Sequence, residues 1–383
     1  MTFKGIRMAV MSLAAGIAAA QVPPAMRQEP GASPEVRADG TVTFRLRAPN
    51  ARTVSLGGEF DEKKLALTRN EEGVWSITTG PLQPDIYRYW FIVDGVNVVD
   101  PGNPTTASGL RSVWNLVSVP GGSYGFWGER PVEHGVVHRH LYRSAVMGAD
   151  REFYVYTPPE YDRDPRRRFP VLYLLHGGGD TASTWLSVGK ANLIMDNLLA
   201  EAKAVPMLIV MPYGQAAGPQ RSPDPSSPEW VADLDARVHR VGEELTVGIL
   251  PEVERRYRVD PGREHRAIAG LSMGGRQALM IGLSRLDLFA SVGAFSSAVF
   301  PGDFAARFRD LPASPETANR MLKLLFLGCG SDDKFFDTFD NNRQLSDLFK
   351  SRGIRHRFFT TPGAHSFRVW RICLHEIAPL LFR

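Results

Sequence analysis

The stretch HRAIAGLSMGGRQALMIGL, residues 265–283, decides the reading of the fold. Ala267, Ile268 and Ala269 form an apolar run that stops at Gly270. Ser272 follows two residues later, then Gly274, Gly275 and a run with helical character. Gly270-Leu271-Ser272-Met273-Gly274 fits G-x-S-x-G, a sharp strand-to-helix turn that holds a serine out on a strained backbone. Its neighbours must be small for the chain to bend so tightly. The competing reading is a glycine-rich turn with an incidental serine. The apolar strand before the turn and the helix after it favour the nucleophile.

Outward from this turn the rhythm repeats. The runs PVLYLLHGGG, MLIVMPYG and KLLFLGCGSDD are apolar without alternation, as expected of strands buried on both faces. Helical segments lie between them at residues 191–202, 245–256, 275–284 and 340–352. Strand and helix in alternation predict an α/β fold with a mostly parallel sheet, and the serine turn makes it an α/β-hydrolase fold over residues 136–383.

A serine hydroxyl needs a base, and the base needs an orienting acid, in the chain order Ser, acid, His. His365 lies in the loop TPGAHSF and is the expected base. His375 falls in a helical run and His356 at an outward strand position. The acid is expected just past the apolar run of LLFLGCGSDDKFF, where Asp332 and Asp333 both stand. A developing oxyanion needs two N–H donors. Met273 supplies one, and the loop LLHGGGD supplies the other from Gly178 or its neighbour Gly177. No Lys-Ser/Thr follows those glycines, so they do not read as a nucleotide cradle. No motif calls for a metal or cofactor.

The first third of the chain follows another period. In residues 41–120 apolar and polar residues alternate, with Val42, Phe44 and Leu46 on one side and Thr43, Arg45 and Arg47 on the other. Turn residues separate several such runs, which predicts a small antiparallel β-sandwich. Residues 121–135 have linker composition, and residues 21–40 read as a flexible leader. Lys4 and Arg7 precede the apolar stretch MAVMSLAAGIAAA, which ends in an A-x-A pattern. Residues 1–20 therefore read as a signal peptide, so the mature chain is expected in the periplasm or outside the cell, with no membrane attachment. The 383 residues carry a formal net charge of +4 with the signs interspersed. The short run Arg166-Arg167-Arg168 reads as solvated surface, and nothing points to nucleic acid. Cys329 and Cys373 are expected as buried thiols. The oligomeric state is not legible.

Taken together, VYTPPEYD, FPVLYLLHGGGDTASTW, AIAGLSMGG, LGCGSDD and TPGAHSFRVWR resemble carbohydrate esterase family 1, the esterase D-like group of feruloyl esterases, acetylxylan esterases and mycolyltransferases. The family's CG-x-x-D pattern, laid on Cys329-Gly330-Ser331-Asp332-Asp333, implies Asp333 as the acid, and its oxyanion residue implies Gly178. The stretches VTFRLRAPNARTVSLGGEF, EGVWSITTGPL and YRYWFIVDGVNVVDP resemble carbohydrate-binding module family 48, an early-set, immunoglobulin-like sandwich. The pairing implies a secreted serine esterase that removes ferulate or a related hydroxycinnamate from a plant polysaccharide such as xylan. Acetylxylan esterase, siderophore trilactone esterase and acyltransferase remain as alternatives. An aromatic wall would suit a ferulate ring, and Trp185 and Trp230 are the expected substrate-binding residues. Trp230 ends the irregular segment 214–230. In the sandwich, Trp75, Tyr87, Tyr89, Trp90 and Trp114 are candidates for stacking on sugar, although Trp75, Tyr87 and Tyr89 fall on core-facing positions. A sandwich that walls the esterase cleft is the other expectation.

Overall fold

The computed structural model of the chain describes residues 31–121, 125–216, 228–299 and 314–383. The expected signal peptide, the first half of the leader and residues 217–227 of the 214–230 segment lie outside the described residues.

The N-terminal part is the antiparallel two-sheet sandwich that its alternation demands. Its strands are β1 (Glu35–Val36), β2 (Val42–Arg47), β3 (Val54–Gly58), β4 (Asp61–Ala66), β5 (Thr68–Arg69), β6 (Val74–Thr79), β7 (Asp85–Val93), β8 (Val96–Val98), β9 (Thr106–Ser108) and β10 (Val113–Val119). One sheet runs β1-β2-β6-β5 and the other β4-β3-β7-β10-β9, with β8 on β7. Val42, Phe44, Leu46, Trp75, Tyr89 and Phe91 meet between the sheets. Of the sugar-stacking candidates, Trp75 and Tyr89 are thus interior. Trp75 donates its indole N–H to Ala48 O at 2.9 Å, and the Tyr89 hydroxyl donates to Asp100 Oδ2 at 2.8 Å. Tyr87 turns its hydroxyl to Gln83 O, and the half-buried Trp90 lies across Gly57.

The second part is built on one sheet of β11 (Val136–Ser144), β12 (Ala149–Thr157), β13 (Val171–Leu175), β14 (Leu208–Pro212), β15 (Arg266–Leu271), β16 (Ser291–Phe295), β17 (Leu324–Gly330) and β18 (Arg357–Thr361). Their order is β11-β12-β14-β13-β15-β16-β17-β18. The β11–β12 hairpin and the β12–β14 pair are antiparallel; every other pair is parallel. Every residue of β13, β14, β15 and β16 is buried. The reason is packing on both faces: Val171, Tyr173 and Leu175 enter one core while Leu172 and Leu174 enter the other. The main covering helices are α1 (Ala191–Ala200), α2 (Pro228–Glu243), α3 (Met273–Ser284), α4 (Thr338–Ser351) and α5 (Phe367–Ile377). A π-helical turn, Glu244–Ile249, continues α2 where the sequence suggested an ordinary helix.

The two parts share a core. Ile86, Ala107 and Leu116 of the sandwich pack into the cluster that covers one face of the large sheet. Residues 121–135, expected as linker, are in their described portion no free spacer. Trp127 is buried under the Arg371 guanidinium, and Asn197 donates to the carbonyls of Phe126 and Gly128. Their turn composition hides an anchor because one aromatic side chain is enough to dock the segment.

Arg371 of α5 pairs with Asp85 of β7 and also donates to Val188 O at 2.7 Å. Both side chains are buried. Burial pushes the Asp85 carboxyl up and the Arg371 guanidinium down, each against the pull of its partner. Removing one member leaves a lone buried charge, which costs about 3–5 kcal/mol. Arg371→Met is therefore expected to lower unfolding free energy by about 3 kcal/mol, measured by urea titration. A loss within the roughly 0.5 kcal/mol typical of surface changes would show that the pair does not fasten the two parts.

Candidate active site

The serine turn forms because β15 ends against glycines that nothing larger could replace. A Cβ on Gly270 would stand 2.4 Å from Gly274 O, and one on Gly274 would stand 2.5 Å from His176 O. Ser272 takes φ 52° and ψ −116°, a conformation that L-residues rarely adopt. It is held there by its N–H to Phe295 O at 2.8 Å and by the Arg276 N–H to its own carbonyl at 3.0 Å. The helix α3 begins at the next residue, so its N-terminal N–H groups open toward the hydroxyl.

Three side chains from three strand ends meet at this point. His365 Nε2 lies 2.9 Å from Ser272 Oγ. Its Nδ1 lies 2.9 Å and 3.1 Å from the two oxygens of Asp333. The Asp333 carboxylate is 1% exposed and also accepts the Phe335 N–H at 3.3 Å. An imidazole placed between a hydroxyl and a buried carboxylate can take the hydroxyl proton as the oxygen attacks an acyl carbon. The carboxylate then fixes the tautomer and stabilises the cation that forms.

The neighbouring candidates stand elsewhere. Asp332 is exposed; its Oδ2 accepts the Gly363 N–H at 3.0 Å and so shapes the loop that carries His365. His356 bonds Ser346 Oγ, and His375 packs on Phe126. Both cysteines are free and buried. Cys329 Sγ is 4.0 Å from Asp333 Oδ2, and burial together with that carboxylate pushes its thiol up to about 12. It therefore sits beside the acid as a neutral group. Among the described residues no group of three or more His, Cys, Asp or Glu could hold a metal ion, and no helix is long and apolar enough to cross a membrane.

Ser272 and Met273 open into a cleft of about 560 Å³, which Gly178 and Gly179 also line. A side chain on Gly178 would meet nothing within 4 Å, so a ligand can approach its backbone closely. Beneath this loop His176 is fully buried. It accepts the Gly214 N–H at Nε2 (2.9 Å), which leaves Nδ1–H to donate to Gly177 O at 2.9 Å. Burial holds its pKa below the usual histidine range, which keeps this neutral form.

The cleft walls are aromatic. Trp230 lines it, together with Trp114, Phe335 and Phe336. Trp185 does not, and that expectation is corrected. Its ring is 0% exposed, edge-on to Phe295 and Phe367, and its indole N–H donates to Leu175 O at 3.0 Å. A ring with no open face cannot stack on substrate; it props the strand end before the HGGGD loop. The sequence reading missed Phe335 and Phe336, which are more than half exposed. The signal was available, since an adjacent Phe pair in the polar run GSDDKFFDTFD has no core period. It also missed Leu110, Arg111 and Ser112, the tip between β9 and β10, which the sandwich inserts into the cleft wall. Arg237 and Arg276 reach the cleft already paired with Asp233 and Asp235.

Comparison with known proteins places the chain among esterases. Residues 144–381 match the family model described as "Putative esterase", and residues 30–107 match carbohydrate-binding module 48, the isoamylase N-terminal domain. An endo-1,4-beta-xylanase/feruloyl esterase of Xylanibacter ruminicola is 30% identical over 373 residues, covering 94% of this chain and 47% of the relative. An esterase of Mycobacterium tuberculosis is 29% identical over 267 residues, covering 59% of this chain and 55% of the relative. The chain thus spans about half the length of the curated relatives it matches. Among solved structures, a family 1 ferulic acid esterase of Anaeromyces mucronatus superposes with TM-score 0.54 at 26% identity, covering 66% of this chain and 93% of that one. The enterobactin esterase of Shigella flexneri gives TM-score 0.61 at 16% identity, covering 89% and 92%. At that identity the second likeness speaks to fold alone, and it spans both parts of the chain.

Proposed function

This chain belongs to the esterase family whose model it matches over residues 144–381, and on that premise we propose that it is a serine carboxylic-ester hydrolase that removes hydroxycinnamate groups from xylan-type polysaccharide. Ser272 is the nucleophile, His365 the general base and Asp333 its orienting acid. The N–H groups of Met273 and Gly178 receive the oxyanion. The observation that carries the reading is the unbroken hydrogen-bond chain from Ser272 through His365 to Asp333 at the mouth of an aromatic cleft. The identity to a xylanase/feruloyl esterase over most of this chain supports the substrate class. The first twenty residues, read as an export signal, put the enzyme where plant polysaccharide is met, in the periplasm or outside the cell.

The reaction follows from the geometry. Ser272 Oγ attacks the ester carbonyl as its proton passes to His365 Nε2. The tetrahedral oxyanion takes up the two backbone N–H groups. His365 then protonates the leaving sugar oxygen, and water repeats the sequence on the acyl-enzyme. Trp114, Trp230, Phe335 and Phe336 offer flat apolar faces to the acyl ring. An acetyl group needs no such wall. An iron siderophore complex is anionic; at the cleft Arg237 and Arg276 are already engaged with carboxylates, while Arg111 is exposed in the wall, so the trilactone is kept as a competing substrate in the test.

A panel of methyl ferulate, acetylated xylan and a catecholate trilactone tests this reading. Methyl ferulate is expected to give the highest kcat/KM of the three. Turnover of acetylated xylan with none of methyl ferulate would move the assignment to acetylxylan esterase. Preference for the trilactone would move it to the siderophore class.

A further inference from the structure

We propose that the sandwich is a positioning element for catalysis, in which Arg88 and the 108–110 turn hold the loop that presents the Gly178 N–H. The inference rests on the reading of Gly178 as an oxyanion donor. It goes beyond that reading by giving the first domain a role in the chemical step rather than in capturing polymer.

The HGGGD loop has little rigidity of its own. Gly178 and Gly179 carry no side chains, and Gly179 sits at φ +80°. Two adjacent glycines leave the backbone free to wander, so their conformation must be imposed by neighbours. The esterase domain holds the loop at its ends: His176 Nδ1 bonds Gly177 O, the Asp180 N–H reaches the same carbonyl at 3.3 Å, and the Thr181 N–H donates to Thr184 Oγ1 at 3.0 Å. Between and beside those points the sandwich adds a bond to each of Gly179, Asp180 and Thr181, the residues that follow Gly178. The Leu110 N–H donates to Gly179 O at 2.7 Å. Arg88 Nη2 donates to Asp180 Oδ1 at 2.9 Å. The Thr181 hydroxyl donates to Ser108 O at 3.0 Å.

The grips on Gly179 and Asp180 are built to be firm. Asp180 is 4% exposed, so its bond to Arg88 is a charge-assisted one with little water to compete. The Arg88 guanidinium lies over the Trp114 ring at 4.8 Å and the Phe367 ring at 5.1 Å, which restricts its plane. The turn comes so close because Gly109 has no side chain: a Cβ there would stand 2.9 Å from Gly179 O and 2.3 Å from the Trp114 ring. Arg88 is not among the residues that line the cleft, so it acts through the loop. A donor displaced by about 1 Å can cost 100-fold in rate.

A binding module and a positioning element differ in what their loss changes. The test uses the full chain and p-nitrophenyl acetate, a substrate too small to need a polymer-binding surface. Arg88→Met and Gly109→Ala are each expected to lower kcat by roughly 10- to 100-fold, with KM within about twofold. Inhibition by phenylboronic acid, whose adduct with the serine is tetrahedral, should weaken in proportion to kcat. Arg88→Lys, which restores a cation opposite Asp180, should recover part of the rate. Wild-type kcat in folded Arg88→Met and Gly109→Ala would overturn the proposal, as would a loss confined to KM. Should Arg88→Met not fold, Gly109→Ala and Arg88→Lys decide it, since neither removes a charge. Loss of activity in Ser272→Ala alongside a normal Arg88→Met sinks only the positioning role. Retained activity in Ser272→Ala sinks the esterase reading beneath it.

Discussion

Ser272→Ala is expected to lower kcat by about three to six orders of magnitude while leaving the fold intact. The expectation separates chemistry from backbone. Ser272 occupies a conformation at φ 52° that strains any residue with a Cβ. Alanine keeps that Cβ, so the turn bears the same strain in the variant as in the parent. The backbone bonds that hold it, to Phe295 O and from Arg276 N–H, do not involve the side chain. What disappears is one hydroxyl and its bond to His365 Nε2. The His365 ring remains fixed by Asp333, by Phe335 at 4.6 Å and by Trp370 at 4.9 Å. The residual rate is that of a preorganised oxyanion site acting on water. Circular dichroism and thermal unfolding should match the parent, and a fluorophosphonate should label the parent at Ser272 and leave the variant unlabelled. Parental turnover in Ser272→Ala, or labelling at another residue, would remove the basis of the mechanism.

What was legible in the sequence was whatever a local pattern encodes. The serine turn is written in five consecutive residues whose spacing is dictated by sterics, so Gly270 and Gly274 announce it. The central strands are legible because burial on both faces leaves them almost wholly apolar, with Arg266 and Ser291 confined to strand starts. The sandwich shows through the strict apolar–polar alternation of β2 and the looser alternation of β7. The residue choices that failed or were missed are those set by distant contacts. Trp185 and Trp230 look alike in sequence, each a tryptophan near a loop. One is enclosed by Phe295 and Phe367 from later elements, and only the other reaches the cleft. The insertion of Leu110, Arg111 and Ser112 beside Ser272 joins positions some 160 residues apart, and no periodicity carries that information. The Arg371–Asp85 pair, with a separation of 286 residues, is hidden for the same reason. Of the sugar-stacking candidates in the sandwich, Trp114 stands in the cleft wall, a position that no strand pattern announces.

The choice between the adjacent acids carries the second large effect. Asp333→Asn is expected to lower kcat by about 10⁴-fold, and Asp332→Asn by no more than a few-fold. The two carboxylates differ by one residue, yet the turn after β17 sends them in opposite directions. Asp333 faces inward and receives His365 Nδ1–H on both oxygens. An amide there must present either its oxygen or its NH2 to the imidazole, and the NH2 selects the tautomer with the proton on Nε2. In that tautomer the nitrogen facing Ser272 Oγ has no lone pair to accept the proton. The carboxylate's charge, which would stabilise the imidazolium from a buried position, is also gone. Asp332 faces solvent and accepts only the Gly363 N–H. Asparagine keeps an oxygen for that bond, so the loop bearing His365 stays in place. The triad logic further requires that Ser272→Ala combined with Asp333→Asn be hardly worse than Ser272→Ala alone, because the acid works only through the base and the base only through the serine. Kinetics of the parent and the four variants on one soluble ester decide the matter. A larger loss in Asp332→Asn than in Asp333→Asn would transfer the acid to the outward residue. Multiplicative losses in the double variant would mean that Asp333 and Ser272 act independently, which the hydrogen-bond chain through His365 does not allow.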